Sequence, residues 1–232
     1  MLEVLKKQSS LLFDDQSGLL KRWDMKQGLS LQSFRLFPRA YPPFKLFDNG
    51  KKLLINRLKV YKIWDLETNK VIRRFEGKSS RRIKILPDNQ SFLGAEFRGT
   101  IHRYSLKTGK VLSTFRGHRR HFDHFYLLKD QQSFLTASVD MTARYWSLKT
   151  GRQLESFRAH NRRLTSMVVF PDEKTFVTGA FDRTIKHWDL ATGKLLYTFE
   201  GHTKPISQLL VIPNHPWVLS RAFGSDHEVR LW

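Results

Sequence analysis

The sequence predicts an all-β protein built from repeats of about 40 residues. Aromatic anchors recur at spacings of 41, 40, 42, 42 and 44 residues, at Trp23, Trp64, Tyr104, Trp146, Trp188 and Trp232. A turn of the kind Leu-x-Thr-Gly-Lys follows several of these anchors, most clearly after Trp188-Asp189. Short apolar runs with turn residues between them lie upstream of each anchor. This period and this punctuation are typical of four-stranded repeat units.

The best-preserved repeat, residues 159–200, shows where the strands are expected. Apolar or alternating runs predict four strands, at 164–170, 175–179, 184–188 and 194–199. Turn signals separate them at 171–173, 181–183 and 192–193. A four-stranded meander of this length cannot bury both faces alone and packs against its neighbours, as a blade of a β-propeller does.

Six such repeats cover the chain, at about 1–35, 36–76, 77–116, 117–158, 159–200 and 201–232. Pro42 and Pro43 cannot donate to a strand ladder, so the first strand of the second repeat is expected after them. The last repeat ends at its third strand. We therefore expect one propeller domain of six blades, the last without its outer strand, in an open or incomplete ring. The chain is predicted to be a fragment of a longer propeller.

The composition is that of a globular protein, with 40% hydrophobic residues and no cysteine. Disulfides and cysteine-ligated metals are therefore excluded. The longest apolar runs, at 167–170 and 209–212, are far too short to span a membrane. The first ten residues lack the apolar core of a secretory signal. A cytoplasmic protein without membrane insertion is expected.

The net charge is unusual, with 41 Lys and Arg against 21 Asp and Glu, or +20. Such a balance favours acidic partners: nucleic acid, anionic membrane surfaces, or acidic and phosphorylated proteins. The other reading is a basic surface without a dedicated partner, because net charge bears on association and not on the fold.

The repeats resemble those of the WD-repeat (WD40) family along the whole chain. In that family His, Ser or Thr, Asp and Trp form a hydrogen-bonded network within each blade. The resemblance implies this structural network at His118, Thr136, Asp140 and Trp146, at His160, Thr178, Asp182 and Trp188, and at His202, Ser220, Asp226 and Trp232. The step from His to Ser or Thr is 18 residues in all three sets, and the step from Asp to Trp is 6.

Such a network makes physical sense, because a buried indole N–H needs an acceptor and a hydroxyl can accept and donate at once. The first three repeats lack it. The third has Lys78, Gly94, Arg98 and Tyr104 near the corresponding positions. We expect these repeats to be held mainly by apolar packing and to be looser.

An enzyme is not predicted. The His, Asp and Ser or Thr combination recurs in the same place of three repeats, whereas a catalytic site is not usually copied in every blade. The sequence contains no Gly-x-Ser-x-Gly or phosphate-loop motif. A metal site at His118, His121, Asp123 and His124 is disfavoured, since His121 and His124 would point to opposite faces of a strand. No catalytic residue, cofactor, metal or small-molecule substrate is expected.

Cations just after the Gly-His position are the strongest candidates for partner binding. The resemblance implies that this segment lies on the narrow face most often used for partners, where Arg pairs suit phosphate or carboxylate. Apolar or cationic residues before the turn Asp, Val139 among them, are expected on the same face. The predicted partner-binding residues are Arg57, Arg81, Arg82, Phe97, Arg119, Arg120, Arg162, Arg163, Phe181 and Lys204.

Two function classes follow, and a third stays open. The first is a non-catalytic scaffold that binds proteins with acidic or phosphorylated segments. The second is charge-driven binding of nucleic acid or ribonucleoprotein, which would weaken steeply with salt. The third is the docking or sensor part of a larger multidomain enzyme.

Overall fold

Antiparallel strands of three to seven residues make up the computed structural model, which describes residues 2–5, 10–14, 19–24, 26–27, 29–35, 44–57, 59–78, 80–96, 98–213, 215–224 and 228–232. Within these residues the chain forms 23 strands and no helix. The strands are grouped into six sheets, and each sheet joins strands that follow one another in the chain. The fold is therefore all-β, as predicted.

Three sheets come from the first half of the chain. Sheet 1 contains β1 (Leu2–Leu5), β2 (Ser10–Asp14), β3 (Leu19–Asp24) and β4 (Ser30–Arg35). Sheet 2 contains β5 (Phe44–Phe47), β6 (Lys52–Arg57), β7 (Val60–Asp65) and β8 (Lys70–Glu76). Sheet 3 contains β9 (Ser80–Ile85), β10 (Ser91–Glu96), β11 (Ile101–Ser105) and β12 (Val111–Phe115).

The second half of the chain forms the other three. Sheet 4 contains β13 (Phe122–Leu127), β14 (Ser133–Ser138), β15 (Thr142–Ser147) and β16 (Gln153–Arg158). Sheet 5 contains β17 (Leu164–Val169), β18 (Thr175–Ala180), β19 (Ile185–Asp189) and β20 (Leu195–Phe199). Sheet 6 has three strands, β21 (Ile206–Val211), β22 (Val218–Ala222) and β23 (Val229–Leu231).

The strand boundaries lie within two residues of the predicted ones in the reference repeat. The third strand begins at Ile185 and not at Thr184. Thr184 belongs to the preceding turn, because its hydroxyl and its N–H both donate to the Asp182 carboxylate. The first strand of the second repeat begins at Phe44, just after the two prolines.

The turn after the Trp-Asp pair is stabilised by the Asp side chain. Asp189 Oδ1 accepts the Thr192 N–H and the Thr192 hydroxyl, both at 2.7 Å. Gly193 then has a φ of +72°, a conformation that glycine adopts without the steric cost of a side chain. Asp65 and Thr68 repeat the same contacts in sheet 2. The recurring Asp-x-x-Thr pattern thus closes a tight turn between the third and fourth strands.

The chain divides into two compact units, residues 1–96 with 103–112, and residues 97–102 with 113–232. In the first unit a cluster of four aromatic rings, Tyr61, Phe75, Phe92 and Tyr104, forms the centre of the core, with ring centroids 5.0–6.5 Å apart. This agrees with the expectation of apolar packing in the early repeats. The prediction of one domain is not tested by this division and stays a prediction.

The first unit also has a polar chain that the sequence analysis missed. Asn56 Oδ1 accepts the Ser80 N–H at 2.8 Å, and the Ser80 hydroxyl is hydrogen-bonded to the Tyr61 hydroxyl. Tyr104, which is aligned with the tryptophans, accepts the Lys78 N–H at 3.0 Å. Burial raises the pKa of Tyr61 far above its ordinary value, so its hydroxyl stays protonated. Tyrosine hydroxyls therefore satisfy buried polar groups where the His-based network is absent.

In the second unit, a phenylalanine of each outer strand packs on the sheet that follows. Phe157 of β16 meets Phe176 of β18 edge-on, with centroids 4.9 Å apart, and lies 5.8 Å from Trp188. Phe115 makes the same edge-on contacts with Phe134 and Trp146. Edge-to-face pairs of this kind stabilise the packing beyond the area that they bury. The contacts of Phe157 thus pack sheet 4 against sheet 5 beneath the loops described next.

Candidate partner-binding site

A buried hydrogen-bonded network connects the strands of sheet 4. The Trp146 indole N–H donates to Thr136 Oγ1 at 2.8 Å, and Thr136 lies 2.7 Å from His118 Nε2. His118 Nδ1 lies 2.9 Å from the Asp140 carboxylate. Because a carboxylate accepts there, Nδ1 carries the proton and Nε2 accepts the Thr136 hydroxyl hydrogen. The His118 side chain is fully buried, so each of these partners satisfies a group that water cannot reach.

Sheet 5 repeats this arrangement. The Trp188 indole N–H donates to Thr178 Oγ1 at 3.0 Å, and Thr178 lies 2.9 Å from His160 Nε2. His160 Nδ1 lies 3.0 Å from both carboxylate oxygens of Asp182. The structure thus brings together all eight residues proposed for the networks of the fourth and fifth repeats.

Sheet 6 contains the same network with a different acid. The Trp232 indole N–H donates to Ser220 Oγ at 2.7 Å, and Ser220 lies 2.6 Å from His202 Nε2. The acceptor at His202 Nδ1 is Glu228, at 3.0 Å. Asp226, which the sequence analysis assigned to this role, lies outside the described residues.

The reason for this difference is visible in the spacing. Glu228 stands four residues before its tryptophan, as Thr142 and Thr184 do before theirs. A glutamate side chain is one methylene group longer than that of aspartate, and Glu228 reaches His202 from that position. The missed signal was a carboxylate at the place of Thr142 and Thr184, in a repeat with two additional residues between Ser220 and that place.

The electrostatics of the networks favour ionised acids. Burial alone would raise the pKa of Asp140, but hydrogen bonds from His118, Thr142 and the Arg119 N–H outweigh it and hold the pKa well below its usual range. Asp182 is affected in the same way by burial and by its bonds from His160 and Thr184. For Glu228, the hydrogen bond from His202 and then the bond from Arg230 lower the pKa.

The networks also fix the loops that carry the candidate arginines. The Arg119 N–H donates to Asp140 Oδ2 at 2.9 Å, and the Asn161 N–H donates to Asp182 Oδ2 at 3.0 Å. Each network carboxylate therefore anchors the main chain just after the network histidine. The side chains of Arg119, Arg120, Arg162 and Arg163 remain exposed. A buried structural network and an exposed cationic surface are thus joined through one main-chain hydrogen bond in each repeat.

These four arginines surround a single cleft of about 520 Å³ in the second unit. Val139, Met141 and Phe181 supply its apolar lining, and Asp140 completes it. Among the described residues, no carboxylate lies within ion-pair distance of the four guanidinium groups. Their hydrogen-bonding capacity is therefore available to an anionic ligand. We call this feature the arginine cleft.

An aromatic pair lies along one wall of the arginine cleft. The Arg163 guanidinium carbon lies 3.9 Å from the centroid of the Phe181 ring, within the range of a cation–π contact. The Phe181 ring lies 5.4 Å from that of Phe223, which is 46% exposed. Neither Phe223 nor Met141 was among the predicted partner-binding residues. The repeat spacing does indicate that the two residues are equivalent, since Phe223 stands 42 residues after Phe181.

The remaining predicted partner residues lie elsewhere or are only partly described. Lys204 is exposed in the second unit, in the loop before β21, and does not line the arginine cleft. Arg57 ends β6, and Arg81 and Arg82 lie within β9, all in the first unit. Arg81 and Arg82 are therefore strand residues. The Arg81 side chain and the whole of Phe97 lie outside the described part of the structure.

The histidine-rich segment after Gly117 has structural contacts. His124 Nε2 is hydrogen-bonded to the Thr165 carbonyl oxygen at 2.6 Å, which links β13 to β17. His121 Nε2 lies 3.8 Å from the Asp123 carboxylate. In the described residues, no group of three or more His, Asp or Glu side chains is placed to hold a metal ion.

Comparison with known families gives matches within residues 151–232. Residues 151–189 and 193–232 each match the family model described as WD domain, G-beta repeat. Residues 151–232 are therefore similar to two repeats of the WD family. The two matches begin in the turns before β16 and β20, so each includes the outer strand of one sheet and the first three strands of the next. A search of curated proteins found no match.

WD repeats generally form non-catalytic scaffolds for protein–protein interaction.

Across the described ranges, no helix has the length and apolar character needed to cross a membrane.

Proposed function

We propose that this WD-repeat protein is a non-catalytic scaffold that binds an acidic or phosphorylated segment of a partner protein in the arginine cleft. The observation that carries this proposal is the convergence of four exposed arginines and Phe181 on one cleft. Each guanidinium group offers two parallel N–H donors to a carboxylate or phosphate. The apolar wall gives the site a way to select protein segments that also contain an apolar side chain.

We also propose that each of the six sheets is one blade of a β-propeller. Support comes from the match between the six predicted repeats and the six observed sheets, with three strands in the last. The net charge of the chain fits the proposed scaffold function. An excess of 20 positive charges attracts acidic partners toward the protein over long distances. A cytoplasmic location remains a prediction from the sequence.

Nucleic acid binding is the second candidate function, and the same net charge favours it. The two functions differ in their salt dependence. Binding to a phosphate backbone releases counterions, so affinity falls steeply with salt and tolerates many sequences. Binding to one protein segment through a few arginines and an apolar wall has a shallower dependence on salt.

The test replaces Arg119, Arg120, Arg162 and Arg163 together by Gln. A matched control replaces Lys149, Arg152, Lys174 and Lys194 by Gln; these are exposed cations on the turns at the other ends of the strands. Both variants lose four charges. Binding to acidic peptides, phosphopeptides and single-stranded RNA is measured by fluorescence anisotropy at low and moderate salt.

The scaffold proposal predicts that the cleft variant loses peptide binding while the control keeps most of it. Equal losses in the two variants would show that only total charge matters, and the proposal would be wrong. RNA binding that is tighter than peptide binding and falls steeply with salt would favour the second candidate instead.

A further inference from the structure

The outer strand of sheet 5, β20, is an exposed edge with an apolar sequence. Sheet 5 ends at β20, and within the described residues no further strand pairs with its outer side. Leu195, Leu196 and Tyr197 are 44%, 50% and 59% exposed. An edge strand has unpaired main-chain N–H and C=O groups, so an apolar edge favours pairing with another strand. β20 therefore has the properties of a strand-pairing surface.

The residues of this edge are complementary to themselves. The strand and its two flanking residues read KLLYTFE, from Lys194 to Glu200. If two copies pair antiparallel with Tyr197 at the centre, Lys194 of each copy lies opposite Glu200 of the other. Leu195 then lies opposite Phe199, and the two Tyr197 side chains lie opposite each other. Opposite charges and aromatic or apolar pairs stabilise an antiparallel contact when they lie directly across from each other.

The two charged residues are available for such a contact. The side chains of Lys194 and Glu200 are both exposed. In the part of the chain that the structure describes, neither lies within ion-pair distance of an opposite charge. An ion pair between two copies would therefore replace no ion pair within one copy.

The outer strands of the neighbouring sheets lack this complementarity. Antiparallel self-pairing would set Arg73 against itself in sheet 2 and Glu155 against itself in sheet 4, and like charges in this position are destabilising. In sheets 3 and 4 the two ends of the segment are both cationic. The aligned segments are KVIRRFE at Lys70–Glu76, KVLSTFR at Lys110–Arg116 and RQLESFR at Arg152–Arg158. Charges of this kind are a common protection of edge strands against pairing, and the middle of β20 has none.

A β-bulge in the outer strand does not explain this difference. In sheet 5 the pairing with β19 shifts at Leu196, between the pairs Trp188–Leu195 and His187–Tyr197. The same shift occurs at the equivalent place of sheets 2 and 4. A bulge increases the local twist of an edge and discourages pairing, but it acts on all three edges alike. The charge pattern is therefore what distinguishes β20.

We propose that two copies of this chain associate through β20, which pairs antiparallel with its counterpart, with Tyr197 at the centre of the contact. The pairing joins two four-stranded sheets into one sheet of eight strands. The contact is isologous and uses each β20 once, so it closes at a dimer. One strand from each copy gives a small interface, so the dimer is weak and its population depends on protein concentration.

This inference goes beyond the proposed function and does not depend on it. None of the residues that line the arginine cleft belongs to β20. The cleft of each copy therefore takes no part in the contact.

The net charge of +20 on each copy opposes the association. At about 0.15 M salt, exposed charges more than about 8 Å apart are largely screened from each other. Side chains directly across an antiparallel pair are only about 5 Å apart, so the contacts of β20 are retained at this salt concentration. We expect the dimer to be weaker at low salt, where the repulsion between the two copies extends further.

Charge exchange tests the antiparallel pairing. Lys194→Glu sets two acidic residues opposite each other at each end of the contact, and Glu200→Lys sets two cationic residues there. Each variant alone is expected to dimerise at least about tenfold more weakly, because two ion pairs are replaced by two like-charge pairs. A mixture of the two variants is expected to form a mixed dimer about as strong as that of the unchanged protein, because opposite charges face each other again. Sedimentation velocity of the full chain over a range of concentrations at 0.15 M salt, about the physiological ionic strength, gives the dissociation constants.

Two further variants test the position of the contact. Tyr197→Arg gives the edge of sheet 5 the central arginine of sheet 2, and it is expected to abolish the dimer. Lys110→Glu is the matched control, because it makes the same charge change at the equivalent exposed position of sheet 3. It is expected to leave the dissociation constant unchanged. Melting temperatures show that each variant is folded.

The outcomes decide the proposal. A protein that stays monomeric at every concentration would overturn it, and so would an extended peptide that binds β20 of a protein that does not dimerise. Equal effects of Lys110→Glu and Lys194→Glu would show that only net charge matters. A mixture of the two charge variants that forms no dimer would exclude this pairing, and association beyond a dimer would contradict a closed contact. Peptide binding in the arginine cleft is measured separately, so either proposal can fail without the other.

Discussion

Arg163 stacks on Phe181, with its guanidinium carbon 3.9 Å from the centroid of the ring. The same main-chain segment accepts the Phe181 N–H at the Arg163 carbonyl oxygen. The two residues are therefore held together by both backbone and side chain. This places an exposed cation against an aromatic surface that continues to Phe223. A rigid pair of this kind loses little conformational entropy when it contacts a ligand.

The exposed ring of the aromatic pair, Phe223, is expected to contribute to the affinity for a partner and not to the stability of the protein. Phe223→Ala removes an exposed ring in contact with Phe181, so binding of an acidic segment with an apolar residue should weaken about three- to fivefold. The free energy of unfolding should change by less than about 0.5 kcal/mol, because the ring is half exposed. Fluorescence anisotropy and urea denaturation measure the two quantities. Tyr197→Ala, an exposed aromatic residue of β20, is the control; an equal loss of affinity there would contradict a specific role for Phe223.

The network carboxylate of sheet 4 is expected to be important for stability. Asp140→Asn leaves the buried His118 without its ionised acceptor, which should lower the free energy of unfolding by about 1–3 kcal/mol at pH 7. Asp172→Asn changes a carboxylate that accepts one exposed main-chain N–H, and it should cost less than about 0.5 kcal/mol. Urea denaturation of the three proteins gives the comparison. Similar values for the two variants would show that the network contributes little.

The stability difference between the protein and Asp140→Asn should depend on pH. The pKa of Asp140 is lower in the folded than in the unfolded state, where it is about 3.9. A depressed folded pKa contributes stability that is complete above the unfolded pKa and is lost as pH falls toward the folded one. The part of the difference that Asp140 contributes should therefore shrink as the pH falls below about 4. Urea denaturation at several pH values measures it, and a difference that did not fall between about pH 4 and pH 2 would contradict the sign of the shift.

The acid that stabilises the network of sheet 6 is expected to be Glu228 and not Asp226. Glu228→Gln replaces the acceptor at His202 Nδ1 with a neutral amide, so the melting temperature should fall. Asp226→Asn changes the neighbouring acid that the sequence suggested and should have the smaller effect. Differential scanning calorimetry of both variants decides between the two residues. A larger loss in Asp226→Asn would mean that the spacing rule of the other repeats also holds in the last one.

In the first unit, Gly94 is expected to be required by close packing. A Cβ at this position would lie 2.5 Å from the Tyr61 hydroxyl and 2.6 Å from Ser80 Oγ. Gly94→Ala should therefore destabilise the protein by about 1–3 kcal/mol, in the range of overpacking substitutions. Adding Tyr61→Phe removes one clashing oxygen, so the two changes should be less damaging together than their sum. Urea denaturation provides this double-mutant cycle, and strict additivity would show that the clash is relieved in another way.

Much of the fold could be read from the sequence because its signals are local. The Trp-Asp spacing, the Thr-Gly turns and the alternation of apolar residues each act within a few residues of chain. They predicted the four strands of sheet 5 to within two residues. Thr184 was misplaced by one residue because its side chain bonds to Asp182, and side-chain capping competes with strand pairing without altering the apolar pattern.

The candidate site was predicted in part. Arg119, Arg120, Arg162, Arg163 and Phe181 were singled out from their place in the repeat, and the structure sets all five around one cleft. Phe223 was missed because the step from Ser220 to Asp226 is two residues longer than the equivalent steps of the two preceding repeats, which obscured the 42-residue spacing. Glu228 was missed because a carboxylate can reach one histidine from two different positions, and only the path of the chain decides which one does.

The sequence by itself determined the all-β repeat, the turn chemistry and the identity of the network residues in sheets 4 and 5, since repetition makes those positions readable without coordinates. Only the tertiary structure decided that a tyrosine and serine pair replaces the network in the first unit, that Glu228 serves His202, and that Arg163 lies on Phe181. These contacts join residues 18 to 26 positions apart in the chain. Their geometry depends on how the strands pack and not on the local pattern that specifies each strand.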